Sequence, residues 1–334
     1  MKDLLKKLVE TPCTPQFQDR MISLLEEEVD FAEVETDHLG NVHLVPESGE
    51  AEKMVFLSRL NELGFTVEHI DDSGFLRFGK ISDVDERTLL GQRMMIHGEN
   101  GDVRGVVGAK PPHLLKGEEE AKKQVKISDM FLDVGAYSRD EVEKMGVSIG
   151  DPITLEGWLR ELPDGRVAGK SLSSRSGCAV VLQVLQKLSD SDTDVSAWLL
   201  SQESTFPKDF ASDYAIAVDG TLAGPYPAER VKIEQHEIPV EIGKGPALTL
   251  REDDVSIGRE VKDLVKEAAS KAGVELQIEA TSRAEAKRLN PMKQNVSSAI
   301  FSIPIKHINT PGEVVNIKDL EDAVKVLESF AKLA

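Results

Sequence analysis

The sequence predicts an α/β protein, a single α/β domain interrupted by a small inserted β-barrel domain. Three observations carry this. After Gly169, helix-length and strand-length segments alternate, the pattern of a largely parallel sheet covered on both faces. Between about residues 66 and 160, short strand-like segments recur with turn residues between them, as in a small antiparallel barrel. The first 65 residues carry helix and strand material of the first kind. Residues 1–65 and 161–334 are therefore expected to form one discontinuous domain, with 66–160 inserted into it. At 334 residues the chain is also too long for one ordinary core.

In chain order, residues 2–9 and 16–29 place Leu4, Leu5 and Leu8, then Met21, Leu24 and Leu25, at helical spacing. Residues 31–36 and 42–45 read as strands flanking the turn Asp37-His38-Leu39-Gly40-Asn41. Met54-Val55-Phe56-Leu57 is a short buried strand. Inside the insert, strands are expected at 66–70, 76–78, 93–96, 103–107, 131–134 and 152–155. Ser138 is placed to cap a helix, Glu141 completes a capping box, and Gly146 ends the helix. Beyond Gly169 come a helix at 177–188, strands at 196–200 and 214–218, and a helix at 256–272 stopped by Gly273. Strands at 277–279 and 299–303 and an amphipathic helix at 317–333 close the chain.

A net charge of −19 argues against nucleic-acid binding, which needs a basic footprint, and serves solubility. No apolar run approaches the roughly 20 residues needed to span a bilayer, so no membrane role is expected. The first residues, Met1-Lys2-Asp3-Leu4-Leu5-Lys6-Lys7-Leu8, start an amphipathic helix and lack the uninterrupted apolar core of a signal peptide, so a cytoplasmic protein is expected. Cys13 and Cys178 read as free buried thiols. The seven histidines and two cysteines are not spaced like a Cys/His zinc motif.

Five segments hold the candidate chemistry. They are Ser58-Arg59-Leu60-Asn61-Glu62-Leu63-Gly64-Phe65, Gly169-Lys170-Ser171-Leu172-Ser173-Ser174-Arg175-Ser176-Gly177-Cys178, Ser201-Gln202-Glu203-Ser204, Ala217-Val218-Asp219, and His307-Ile308-Asn309-Thr310-Pro311. Together with Arg104-Gly105-Val106-Val107-Gly108-Ala109-Lys110-Pro111-Pro112-His113-Leu114-Leu115, Phe131-Leu132-Asp133-Val134-Gly135-Ala136 and Gly146-Val147-Ser148-Ile149-Gly150-Asp151-Pro152, in this order and spacing, they resemble the dinuclear metallo-aminopeptidases that include the deblocking and glutamyl aminopeptidases. Those proteins form tetrahedral, TET-type dodecamers, and some carry an endoglucanase description. The resemblance spans nearly the whole chain. It implies a phosphorylase/hydrolase-like α/β sandwich of the zinc-peptidase type, and a small barrel used in assembly or access.

It also implies a site for two divalent ions, zinc or cobalt, with a bridging carboxylate and a Glu that activates bound water. Here Arg59 stands where the family's first His ligand falls, and Asn61 where an orienting Asp falls. Ser173 matches the bridging Asp, with Ser174 as its neighbour, while Arg175 and Gly177 are kept. Glu203 matches the general base, Ser204 a lost ligand, Asp219 a kept ligand, and Asn309 the last His. Gln18 falls at an early Glu, and Ser282-Arg283 at a Thr-Asp pair. Ser and Asn are poor ligands for zinc or cobalt. A guanidinium stays protonated, and near 4 Å a unit-charge pair is worth roughly 4 kcal/mol at an effective dielectric of about 20. Arg59 would thus repel a dication.

The expectation is a family member that has lost metal-dependent peptide hydrolysis, with no cofactor, acting by self-assembly as a dodecamer, by mixed assembly with active relatives, or by peptide binding. Arg59 should then pair with Glu203 or Asp219. Two alternatives stand beside it. One is an active hydrolase with an altered or single-metal site, such as one weak Mg²⁺ or Ca²⁺ on Glu203, Asp219 and waters. The other is a purely structural oligomer subunit. His307, two residues before Asn309, shares its face on an extended segment, and its plain reading is a partly exposed strand-end histidine. The Ser173-Ser174-Arg175-Ser176-Gly177 run lacks a nucleophile elbow and reads as a helix start with Ser173 or Ser174 as N-cap.

Overall fold

The computed structural model of the chain describes residues 1–15, 17–45, 53–191, 193–201, 212–227, 237–252, 255–281, 290–293 and 296–334. Helices α1 (Lys2–Glu10) and α2 (Asp19–Glu28) precede strands β1 (Glu33–Thr36), β2 (Val42–Val45) and β3 (Met54–Arg59). Six strands follow: β4 (Gly64–Ile70), β5 (Phe75–Lys80), β6 (Arg93–Gly98), β7 (Gly101–Ala109), β8 (Met130–Asp133) and β9 (Pro152–Leu155). Helices α3 (Gly117–Lys122) and α4 (Arg139–Lys144) interrupt them. The chain continues through β10 (Leu159–Leu162), β11 (Arg166–Gly169), α5 (Leu172–Leu188), β12 (Val195–Leu200) and β13 (Tyr214–Leu222). It ends with β14 (Ala247–Glu252), β15 (Val255–Ser256), α6 (Arg259–Ala272), β16 (Gln277–Thr281), β17 (Ser297–Ile305), β18 (Glu313–Asn316) and α7 (Ile317–Ala331).

A nine-stranded sheet runs in the order β1-β2-β12-β3-β13-β17-β14-β15, with β16 paired to β14. Its four central strands, β12, β3, β13 and β17, are parallel, as the helix–strand alternation predicts. The margins differ: β2 runs antiparallel to β12, and β14 antiparallel to β17, so the sheet is mixed. Strand β3 shows why the centre is parallel. Phe56 packs into the main core with α5, while Val55 and Leu57 enter a second cluster on the opposite face. A strand buried on both faces reads as a continuous apolar run. Among the described residues, no helix is long and apolar enough to cross a membrane.

Strands β4 to β9 close into an antiparallel barrel in the order β4-β5-β8-β7-β6-β9. Phe65, Val67, Leu76, Phe78, Met94, Ile96, Leu132 and Ile153 form its own buried core, separate from that of the sheet. The barrel enters directly from β3 through residues 60–63. A clasp fixes it beside α2: Arg20 donates to both Asp102 oxygens at 2.7 Å, and Asp102 also meets His97 Nδ1 at 2.8 Å. Arg20 and His97 together draw the Asp102 carboxyl down to about 2.

Three expectations need correction. Helix α5 begins at Leu172, not at 177. Residues 255–256 are a strand, and α6 starts at Arg259 after Gly258, whose extended ψ of 146° keeps it outside the helix. A three-stranded sheet, β10-β11-β18, was not foreseen. Its strands are only four residues long, and in β10 three of the four are exposed, so alternation gives no signal.

Candidate active site

The carboxyl ends of the parallel strands converge, and ligands of open α/β sheets bind outside such ends. Arg59 closes β3, Asp219 lies within β13, Ser201 follows β12, and the turn 307–312 follows β17. The amino end of α5 faces them. Gly177 lets this happen: a Cβ there would fall 2.3 Å from Val218 O. Gly220 does the same from the strand side, where a Cβ would come within 2.9 Å of Ser173 Cα. No larger residue fits at either contact.

Asp219 is fully buried, and its Oδ1 is the hub of the first cluster. It accepts from Arg59 Nε at 2.9 Å and from Gly220 N at 2.8 Å, and lies 2.7 Å from Arg59 Nη2. The guanidinium thus meets one of the two carboxylates named for it from sequence. The other, Glu203, lies with Ser204 outside the described residues, as do Ser282 and Arg283. The Arg59 side chain keeps 13% of its surface exposed, so the cluster opens to solvent on that side.

Ser173 and Asn309 are joined by a residue that sequence reasoning missed. The fully buried Glu313 accepts from Ser173 N at 2.6 Å, Ser173 Oγ at 3.0 Å and Asn309 N at 2.8 Å. Burial pushes its carboxyl up to about 7, against those hydrogen bonds and the nearby Arg59 charge. The only local sign is an acid opening the apolar run Glu313-Val314-Val315, which marks a strand start and not an inward turn. Glu313 also changes the helix cap. Neither Ser173 nor Ser174 is the N-cap; both lie inside α5. The N-cap is Ser171, with φ 52° and no side-chain cap bond. Its hydroxyl instead accepts from Leu63 N at 3.2 Å, and Glu313 takes the free Ser173 N–H as a carboxylate does at a helix start.

A second cluster lies behind the first. Glu62 pairs with Lys170 Nζ, accepts from Cys13 N at 3.0 Å and stands 3.7 Å from Arg175 Nη2. Arg175 donates to Leu60 O and, at 3.2 Å, to Thr11 O. Lys170 donates to Leu155 O at 3.0 Å. All three charged side chains are buried. Burial drives the Lys170 ammonium below its ordinary range, opposed by Glu62, and pushes the Cys13 thiol up to about 12. Cys178, buried and raised likewise, donates to Arg59 O at 2.9 Å. Both thiols are inert core groups.

Asn61 turns to the end of β12. It donates to Ser201 O and accepts from Cys13 Sγ at 3.4 Å. Gln18 donates to Ser201 Oγ at 2.6 Å, and Asn41 accepts from Ser201 N at 2.8 Å. Together they anchor the end of β12. So Arg59, Ser173, Asp219 and Asn309 come together, while Asn61 and Arg175 serve the surrounding frame.

His307 is not a strand-end residue but sits in a turn with φ 58°, and Asn309 follows at φ 61°. Of the four described non-glycine residues with positive φ, three (Ser171, His307, Asn309) border this site. Each such residue costs on the order of 1–3 kcal/mol, and such strain concentrates at functional positions.

The chain's residues 40–326 match the family model described as M42 glutamyl aminopeptidase. A lysyl aminopeptidase of Pyrococcus furiosus is 29% identical over 98% of this chain and 96% of its own length. The solved aminopeptidase of Desulfurococcus kamchatkensis aligns with a TM-score of 0.87 at 30% identity, over 99% of this chain and 94% of that one. The TET1 peptidase of Pyrococcus horikoshii, which can assemble into a tetrahedron or a large octahedral shell, aligns with a TM-score of 0.87 at 26% identity, over 99% and 98% of the two chains.

Proposed function

Since the chain belongs to the M42 glutamyl aminopeptidase family, we propose that it is a cytoplasmic member that has lost metal-dependent peptide hydrolysis. It acts by assembly and by holding peptides, with residues 66–160 as an inserted barrel used in assembly. One observation carries the reading: Arg59 is hydrogen-bonded to Asp219, so a guanidinium stands as counter-ion to the retained carboxylate. The described donors do not fit a pair of dications. Ser173 gives its hydroxyl proton to Glu313, and Arg59 would face any ion on Asp219 with like charge. The TET1 relative's shells support self-assembly, as homo-oligomers or mixed with active relatives.

A second reading has its own observation. Asp219 is a fully buried carboxylate at the edge of the site that opens to solvent, an acid that would hold one ion with Glu203 if the guanidinium moved. It makes the chain an active hydrolase with a single-metal site.

Aminoacyl and peptidyl substrates assayed with added Co²⁺ or Zn²⁺, beside metal analysis of the purified protein, separate the two. The expected result is no turnover and near-zero bound metal. Turnover that vanishes in Glu203→Gln would overturn the first reading. Light scattering should show an oligomer; a monomer under all conditions would count against assembly.

A further inference from the structure

A shallow recess of about 330 Å³ lies between the barrel and the turn after β17. Trp158, His307, Thr310 and Pro311 line it together with Thr88 and Gln92 of the barrel. A methyl placed on Gly312 would come within 3.9 Å of Trp158 Cζ2, so the indole lies against the turn. The polar lining is already committed. Thr88 Oγ1 donates to Asp85 O at 2.7 Å, Gln92 Nε2 to Thr88 O at 3.0 Å, and Thr310 Oγ1 to His307 O at 2.7 Å. None of the lining residues is acidic, Lys or Arg. Partial burial and the Lys306 charge lower the His307 imidazole's proton affinity, which leaves it neutral at pH 7.

What remains for a ligand is an indole and a proline ring, beside an imidazole that stands edge-on to Tyr226, in a lining without charged side chains. A cationic side chain finds no carboxylate in the lining and has the Lys306 charge nearby, and burying it unpaired is costly. An aromatic ring finds faces for offset or edge-on packing. The turn that lines the recess also reaches the site: its Asn309 N donates to Glu313 at 2.8 Å, and its Asn309 O accepts from Asp85 N at 3.0 Å. We propose that this recess takes an aromatic ring, the side chain of a peptide held beside the Arg59–Asp219 pair. The proposal rests on the peptide-holding reading and names the side-chain class selected.

The chain has two tryptophans, so Trp198→Phe leaves Trp158 as the sole reporter. N-acetyl-phenylalaninamide, its alanine and lysine counterparts, and the peptides Ala-Phe-Ala and Ala-Ala-Ala are titrated against its emission and by calorimetry. Burial of a Phe side chain predicts at least about tenfold tighter binding for the Phe probes, with a shift of Trp158 emission. Trp158→Ala, read by calorimetry, should bring Phe and Ala probes to equal affinity. Gln92→Phe, which fills the recess from the barrel side, should do the same if Trp158→Ala does not fold. Equal affinities for Phe, Ala and Lys probes in the unaltered site overturn the recess alone. Binding of the Phe amide with no binding of either tripeptide overturns the peptide-holding reading and leaves the ring site standing.

Discussion

Arg59 and Glu62, three residues apart in sequence, anchor two buried charge clusters of opposite composition. The Arg59 cluster sets one guanidinium against two carboxylates, Asp219 and Glu313. The Glu62 cluster sets one carboxylate against two cations, Lys170 and Arg175. Among the described residues each therefore has one surplus group, and in each that group's proton affinity is shifted. Burial pushes Glu313 up to about 7, so the surplus anion takes a proton; burial pushes Lys170 down, so the surplus cation holds its proton less firmly. The interior does not forbid charge but charges it an excess cost, and titration relieves that cost. Access separates the two. Arg59 keeps an exposed edge, whereas Lys170, Arg175 and Glu62 are sealed. The first cluster can meet a ligand; the second is scaffold.

The largest effect should come from breaking the sealed cluster. Glu62→Gln leaves Lys170 and Arg175 without their carboxylate and should cost about 3–5 kcal/mol in urea unfolding. A loss under about 1 kcal/mol would show that the pair is not electrostatically coupled. Next is the pH response of Glu313. Its folded value, about 7, is raised above the ordinary 4.5, so its stabilising contribution is present below pH 4.5 and lost as pH rises toward 7. Relative to Glu313→Gln, the parent should lose about 3 kcal/mol across that window. A constant difference between the two would remove proton uptake from the account.

Arg59→Met should cost about 2 kcal/mol at pH 7, with Asp219 left buried and its guanidinium gone, and should push Glu313 higher still. Infrared detection of a protonated carboxyl above pH 7 checks it; an unchanged Glu313 would mean that the two groups do not sense one another. Smallest is the exposed clasp. Asp102, held at about 2, contributes above pH 3.8 and loses that contribution as pH falls toward 2. Because it is largely solvated, Asp102→Asn should cost only about 1 kcal/mol, and less in high salt. A cost matching that of Glu62→Gln would contradict burial as the deciding variable.

Much of this was legible in the chain. The segments around Arg59, Ser173, Asp219 and Asn309 were recognisable as one constellation, because residue type at fixed spacing carries that information. The barrel was legible because its strands are short and repeat. Glu313 was not, since nothing local says that a glutamate four residues beyond Asn309 turns inward to cap α5. Ser173 as N-cap failed for the same reason: the capping oxygen comes from 140 residues away.

The sequence by itself determined the family, the helix–strand order, and an unavoidable cation at position 59. Those follow from side-chain chemistry and periodicity, which are local. Tertiary structure alone decided that Asp219 answers that cation, that Asn61 and Arg175 belong to the frame, and that Glu313 joins Ser173 to Asn309. Such assignments depend on burial and on contacts between strand ends far apart in the chain, and these exist only once the sheet has closed over α5.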